Sequence, residues 1–271
     1  MILGHLNSIE SLSTQDGPGL RTVIFMQGCS LRCKYCHNPD AWAVDGGETI
    51  SSGELARQIG RLTPYLKGEG GVTLSGGEPL MQPEFMLELL YNLKKMGLHT
   101  TVDTSGWQSK YSNGGTGSGT RVASDRLLAA ILAQIDLLMV DVKAPAEDDY
   151  LDLTGRPALG RDVLLDNAIS HNKKVWLRHV VIPEYNDTDQ DIADLAEWTS
   201  GWIRRGLNPE QLTLIPYHRM GLQKYEELGI KPVWLNKPAL DHTELEQYAL
   251  QLVQKLAEIY PEARIPFRVE F

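Results

Sequence analysis

The sequence predicts an α/β protein, a partial, open (β/α)6 barrel of parallel strands with its helices outside the sheet. Three observations predict it. Short apolar runs bounded by Gly, Pro, Asp or Asn recur at residues 22–26, 72–74, 99–103, 136–142, 174–182 and 212–217, the pattern of strands covered on both faces. Helical patterns fall between them, and this alternation marks a parallel sheet packed under helices. The unit recurs about six times, too few for the eight of a closed barrel.

Each helix carries its own boundary signals. Ser51 and Glu54 have capping-box spacing and open a helix to about Leu62. Residues 83–96 put Phe85, Leu89, Leu90 and Leu93 at helical spacing and stop at Gly97. Ser124 can cap residues 125–134. Residues 162–172 and 189–205 follow, the second with Ile192, Leu195 and Trp202 inward and Gly206 after it. Asp241 and Glu244 open a last helix to about Ile259, with Leu245, Tyr248, Leu252 and Leu256 on one face. Residues 109–124 hold Gly114, Gly115, Gly117 and Gly119 and read as a flexible Gly/Ser insertion in one domain, 1–271.

The 271 residues are 42% apolar, enough for one sizeable core. The net charge of −9 argues against a broad nucleic-acid surface. The first residues lack a basic segment followed by an apolar run, so no secretory signal is expected. No apolar stretch reaches the roughly 18 residues of a membrane span. The expected location is the cytoplasm, with no membrane partner.

Only three cysteines occur, Cys29, Cys33 and Cys36, all within eight residues. An odd, tight cluster is no disulfide framework, and in a reducing compartment it reads as a metal site. Iron–sulfur clusters usually take four thiolates. A 4Fe-4S cluster held by three leaves one iron with an open position, where a cofactor can bind. The alternative is zinc held by Cys29, Cys33, Cys36 and His37, although adjacent ligands at 36 and 37 suit one tetrahedron poorly.

The run Gly28-Cys-Ser-Leu-Arg-Cys-Lys-Tyr-Cys-His37 resembles the cysteine motif of the radical S-adenosylmethionine superfamily. With Asp16-Gly-Pro-Gly-Leu-Arg21 before it and Asn38-Pro39 after it, the block is similar to glycyl-radical-enzyme activating enzymes. The matching segments run from Ile9 to His218. The resemblance implies that the open iron chelates S-adenosylmethionine and that one electron cleaves it to a 5′-deoxyadenosyl radical. That radical then takes a hydrogen atom from a glycine of a protein substrate.

The resemblance also implies roles by position. Gly76, Gly77 and Glu78, in Ser75-Gly-Gly-Glu-Pro79, match the motif that receives the cofactor's amino group. Tyr35, Cys36 and His37 match positions at the adenine, and Asp141, Val142, Lys143 and His218 match further cofactor contacts. Asp103, Thr104, Met139 (by its carbonyl) and Asp141 match the ligands of a monovalent cation, Na+ or K+. Asp16 and Arg178 match positions near the substrate glycine loop and the cofactor.

For the partners, the resemblance implies reduced flavodoxin or ferredoxin as electron donor and a glycyl radical enzyme as substrate. The lack of auxiliary-cluster cysteines favours pyruvate formate-lyase. Anaerobic ribonucleotide reductase or another glycyl radical enzyme is the alternative target. A zinc-binding interaction protein is the alternative outside enzymes.

One geometric expectation needs no family. Cys29, Gly77, Asp103, Asp141, Lys143 and His218 all follow the C-terminal ends of expected parallel strands, the rim where open α/β sheets and barrels bind ligands.

Overall fold

A computed structural model describes residues 2–106, 118–262 and 265–269. In chain order the first elements are β1 (Leu3–Ser13), β2 (Arg21–Met26), β3 (Glu48–Ser51), α1 (Ser52–Gly60), α2 (Thr63–Leu66) and β4 (Gly71–Gly76). There follow α3 (Pro83–Lys95), β5 (His99–Thr104), α4 (Ser118–Gln134), β6 (Leu137–Asp141), α5 (Glu147–Thr154) and α6 (Leu159–Ser170). The last are β7 (Lys174–Val181), α7 (Asp189–Arg204), β8 (Pro209–Pro216), α8 (Leu222–Glu227), α9 (His242–Ile259) and β9 (Phe267–Val269). All six expected strands form, as β2, β4, β5, β6, β7 and β8. The architecture is the expected β/α alternation, with a mixed sheet and flanking helices.

The chain forms two compact units. The first comprises Met1–Ser30, Asp40–Met139 and Leu159–Lys173; the second comprises Leu31–Pro39, Val140–Ala158 and Lys174–Phe271. In the first unit the strands run in the order β3-β1-β2-β4-β5-β6, with β1 antiparallel to both its neighbours. β2, β4 and β5 are parallel, and Val23 pairs with Thr73, which pairs with Thr101. One face of these strands is apolar: Ile24, Val72, Leu74 and Val102 are all fully buried. α1 packs on α3 and α3 on α4 to cover this unit.

The other face mixes Val23 and Phe25 with polar Thr73, Ser75 and Thr101, and Arg21 organises its N-terminal end. Its guanidinium is fully buried and donates to Thr73 Oγ1 (3.1 Å), Val72 O (2.7 Å) and Thr101 Oγ1 (2.8 Å). Thr73 Oγ1 in turn donates to Asp16 O at 2.6 Å, which draws the loop between β1 and β2 onto the strands. Burial pulls the Arg21 pKa down to about 10, with Asp136 and Asp16 opposing.

In the second unit β7, β8 and β9 are parallel, with Arg178 paired to Thr213 and Thr213 to Arg268. β7 alternates strictly: Val175, Leu177, His179 and Val181 are buried, while Trp176, Arg178 and Val180 are half-buried on the opposite face. α7 packs against α9, and α9 covers β8 and β9.

Capping decides several helix ends. Ser51 Oγ accepts from Glu54 N–H, but the Glu54 carboxylate pairs with Arg57 instead of closing the box. Asp241 and Glu244 form the expected reciprocal box of α9, and Thr188 with Asp191 forms one for α7. α4 departs from expectation. It starts at Ser118, so Ser124 lies inside the helix and is not its cap, and residues 118–124 are not loop. The rest of the expected Gly/Ser insertion, residues 109–117, lies outside the described residues.

Replacing Arg21 with Met strands the acceptors it serves. Losing a buried hydrogen-bonded charge is expected to cost about 3 kcal/mol of unfolding free energy, read by urea denaturation.

Candidate active site

The first unit carries the start of the cysteine motif. β2 ends at Met26, and Gly28 (φ +95°) turns the chain so that Gly28 N–H donates to Ala41 O and Cys29 N–H to Trp42 O. The Gly76-Gly77-Glu78 turn after β4 lies directly on this loop. Gly77 N–H donates to Met26 O and Glu78 N–H to Gly28 O, at 2.9 and 2.8 Å. A Cβ on Gly77 would collide with the Gly28 carbonyl. Gly76 has φ +109° and its own backbone clash, with Met26. Both glycines are therefore required by backbone-on-backbone packing.

Glu78 is fully buried and spends its carboxylate on the protein. One oxygen accepts from Leu80 N–H and Thr104 Oγ1, the other from Ser105 N–H and Ser105 Oγ. It thus ties the turn after β4 to the turn after β5. Burial pushes its pKa up, and the Ser105 and Thr104 hydroxyls partly offset that. Beside it Ser75 Oγ donates to Asp103 Oδ2 at 2.8 Å.

The second unit carries the rest of the motif, residues 31–39. α5 receives this loop: Arg32 N–H donates to Thr154 O and Lys34 N–H to Leu153 O, at 2.8 and 3.0 Å. Cys36 N–H closes a turn onto Cys33 O at 3.0 Å. The Lys34–Asp152 ion pair at 2.6 Å clamps the same junction from the surface, and Tyr185 OH also donates to Asp152. Tyr35 packs inward with Leu153, Ile182 and Tyr217.

Beneath it, Lys143 pairs with Asp141 at 2.7 Å, and its ammonium is 5.3 Å from the Tyr35 ring centroid. Burial alone would neutralise both members of the pair. Their mutual attraction wins, with Arg178 also acting on Asp141, so Asp141 is held below its usual pKa and Lys143 well above its own. Burial pushes the Cys33 thiol up to about 12, against the pull of Lys143. A thiolate here therefore needs more positive charge than the protein supplies, which is what a bound metal provides. No disulfide engages any of the three cysteines. Three thiols free of disulfides are the donor chemistry that an iron–sulfur centre takes.

His37 and His218 stack at 3.9 Å and 17°. His37 Nε2–H donates to His218 O at 3.0 Å. Each ring fills a face of the other, so an aromatic ligand has only the outer faces of the pair to rest on. They line a shallow, half-open cleft together with Tyr217, Tyr225 and Trp234. The last two residues belong to a segment with no recognisable motif. Their aromatic character is the only signal that marked them.

The structure thus gathers Tyr35, Cys36, His37 and His218 on one cleft, and Cys33, Tyr35, Asp141 and Lys143 in one electrostatic cluster. In the first unit Gly76, Gly77, Glu78, Asp103 and Thr104 share the strand ends. Asp16 does not join them: it precedes β2, where its carboxylate accepts from Ser13 Oγ. Arg178 sits mid-strand in β7, and its carbonyl accepts from Val142 N–H at 2.7 Å. Among the described residues no three His, Cys, Asp or Glu side chains form a ready-made metal-ion cage. Of the expected cation ligands, the Asp103, Thr104 and Asp141 side chains already have protein partners.

Sequence comparison assigns the class. A family model described as "Radical SAM superfamily" matches residues 23–196, and the chain belongs to that superfamily, whose members use an iron–sulfur centre with S-adenosylmethionine. Within it, the chain is 38% identical over 258 residues to the pyruvate formate-lyase-activating enzyme of Clostridium pasteurianum, covering 94% of this chain and 100% of that protein. It is also 38% identical over 232 residues to the enzyme of the same name from Staphylococcus aureus, covering 85% and 87%.

Solved structures agree on the fold. Streptococcus suis SuiB bound to precursor peptide SuiA superposes with TM-score 0.66 at 16% identity over 92% of this chain, which spans only 48% of SuiB. A domain of a pyruvate-formate lyase-activating enzyme from Bacteroides vulgatus gives 0.51 at 20% identity, covering 74% of this chain and 99% of that one. No helix among the described residues is long and apolar enough to cross a membrane.

Two imidazoles make the metal-free protein pH-sensitive. Burial lowers the pKa of His37 and of His179 in β7 from 6.5 to about 4. The unfolded chain binds the extra protons, so their contribution is complete above about pH 6.5 and is lost as the pH falls towards 4. For His179 that drop corresponds to about 3 kcal/mol. Urea unfolding is expected to show lower stability at pH 5 than at pH 7, with a shallower slope in His179→Asn.

Proposed function

We propose that this chain is an activating enzyme that generates a glycyl radical on pyruvate formate-lyase, in anaerobic glucose metabolism. The observation that carries this reading is the conjunction of 38% identity over the whole length of such an enzyme with a cysteine count of three and no more. A 4Fe-4S cluster with one open iron supplies, when bound, the electron that cleaves S-adenosylmethionine to the 5′-deoxyadenosyl radical, which takes a hydrogen atom from the substrate glycine.

The chain's own residues bind and orient. Cys29, Cys33 and Cys36 supply the thiolates. Gly76 and Gly77 keep the turn free of side chains, so that its backbone faces the cofactor's amino group. Glu78 holds that turn by its buried hydrogen bonds. The Lys143 ammonium suits the cofactor carboxylate, and Asp141 keeps it charged and in place. Tyr35, His37 and His218 offer aromatic surface for the adenine. For Asp16 and Arg178, a role near the substrate glycine loop rests on the resemblance alone. With no cysteines left for a second cluster, the electron comes from reduced flavodoxin or ferredoxin.

Reduced, cluster-loaded protein mixed with S-adenosylmethionine and pyruvate formate-lyase is expected to give a glycyl radical by electron paramagnetic resonance. A radical on anaerobic ribonucleotide reductase instead would transfer the reading to that target. Cys33→Ala is expected to lose both iron loading and methionine release from S-adenosylmethionine. A colourless, zinc-loaded wild-type protein would remove the enzyme reading.

A further inference from the structure

β7 places a histidine where its strand otherwise buries Val175, Leu177 and Val181. His179 is 2% exposed, and its hydrogen bonding is complete. Nδ1 lies 2.7 Å from Val142 O. A carbonyl only accepts, so the proton is on Nδ1, and Nε2 must accept. Its donor is Asn186 Nδ2, at 3.1 Å.

Asn186 is equally committed. Its second Nδ2 proton goes to Val180 O at 2.9 Å, and its Oδ1 accepts from Ile182 N–H at 2.6 Å. Those bonds fix the amide's orientation, and the amide fixes the imidazole tautomer. The depressed pKa of His179 agrees with a ring held neutral.

The target of this chain is one peptide unit. Val142 N–H donates to Arg178 O at 2.7 Å, and Val142 O accepts from His179. Adjacent β7 residues thus grip both polar groups of Val142. Its neighbours on either side are Asp141 and Lys143, the ion pair assigned above to the cofactor carboxylate. β6 ends at Asp141, and past it the Val142 peptide is held by the Arg178 carbonyl and the His179 side chain. The side chain of His179 continues the ladder where the strand has stopped.

We propose that His179, locked by Asn186, is a positioning residue that fixes the backbone between Asp141 and Lys143 and so sets the affinity for S-adenosylmethionine. This rests on the reading of Lys143 as a cofactor contact. The alternative is a core histidine that contributes only stability.

Substitution at His179 separates the two roles. Asn places an amide N–H where Nδ1 stood and keeps the donor to Val142 O. Gln places its amide where Nε2 stood, keeps a partner for Asn186 and loses that donor. Leu loses both. Two quantities are measured: amide hydrogen exchange of residues 141–143 in the metal-free protein, and S-adenosylmethionine binding to the cluster-loaded protein by calorimetry. His179→Gln and His179→Leu are expected to exchange faster at 141–143 and to bind about tenfold or more weakly, with His179→Asn within about threefold of wild type. If the Leu variant does not fold, the Asn and Gln pair decides alone. Equal behaviour of Asn and Gln, or affinity that merely follows melting temperature, overturns the proposal. Wild-type protein that carries a cluster but binds no S-adenosylmethionine would overturn the cofactor reading instead, and the exchange data would still report on His179.

Discussion

A polar group buried at the end of a parallel strand must find a partner, and this single constraint shapes both units. Strand pairing stops at these ends, so side chains and turns have to supply what the ladder no longer does. Glu78 shows it in the first unit: four donors from three residues saturate its carboxylate and tie two turns together. The Asp141–Lys143 pair shows it in the second, where each charge keeps the other ionised against burial. Breaking either leaves a buried group without its partners, which is costly.

The same constraint explains what was legible in the sequence. The six parallel strands were, because strands covered on both faces read as continuous apolar runs bounded by turn residues. β1 was not. Its residues Leu3 to Ser13 are largely exposed beyond Leu6, so no apolar run announces it. β3 and β9, of four and three residues, are too short to show a period. α4 was placed too late because Gly119 and its Ser and Thr neighbours suggest a loop, while the helix starts at Ser118. α8 lies in a segment with no motif, although its Tyr225 lines the candidate cleft.

For the site, residue identities were more legible than residue roles. The glycines of the Gly-Gly-Glu turn suggested close approach to a ligand. The structure gives them a prior reason, since Gly77 already lies against the Gly28 carbonyl. Glu78, expected at the cofactor, also ties two turns together by buried hydrogen bonds that no motif displays. Thr104, expected as a cation ligand, also donates to Glu78. His179 and Asn186 carried no motif, because a histidine in an apolar strand resembles any other core polar residue until its partners are known. Pairwise hydrogen bonding between residues distant in sequence is what the chain alone does not display.

The proposed function depends on a cluster one ligand short, with Cys29, Cys33 and Cys36 as its proposed ligands. Mössbauer spectroscopy of the 57Fe-loaded protein, with and without S-adenosylmethionine, tests it most directly. One iron in four is expected to become spectroscopically distinct when S-adenosylmethionine binds, as it would with no thiolate of its own. Four irons indifferent to S-adenosylmethionine would contradict it.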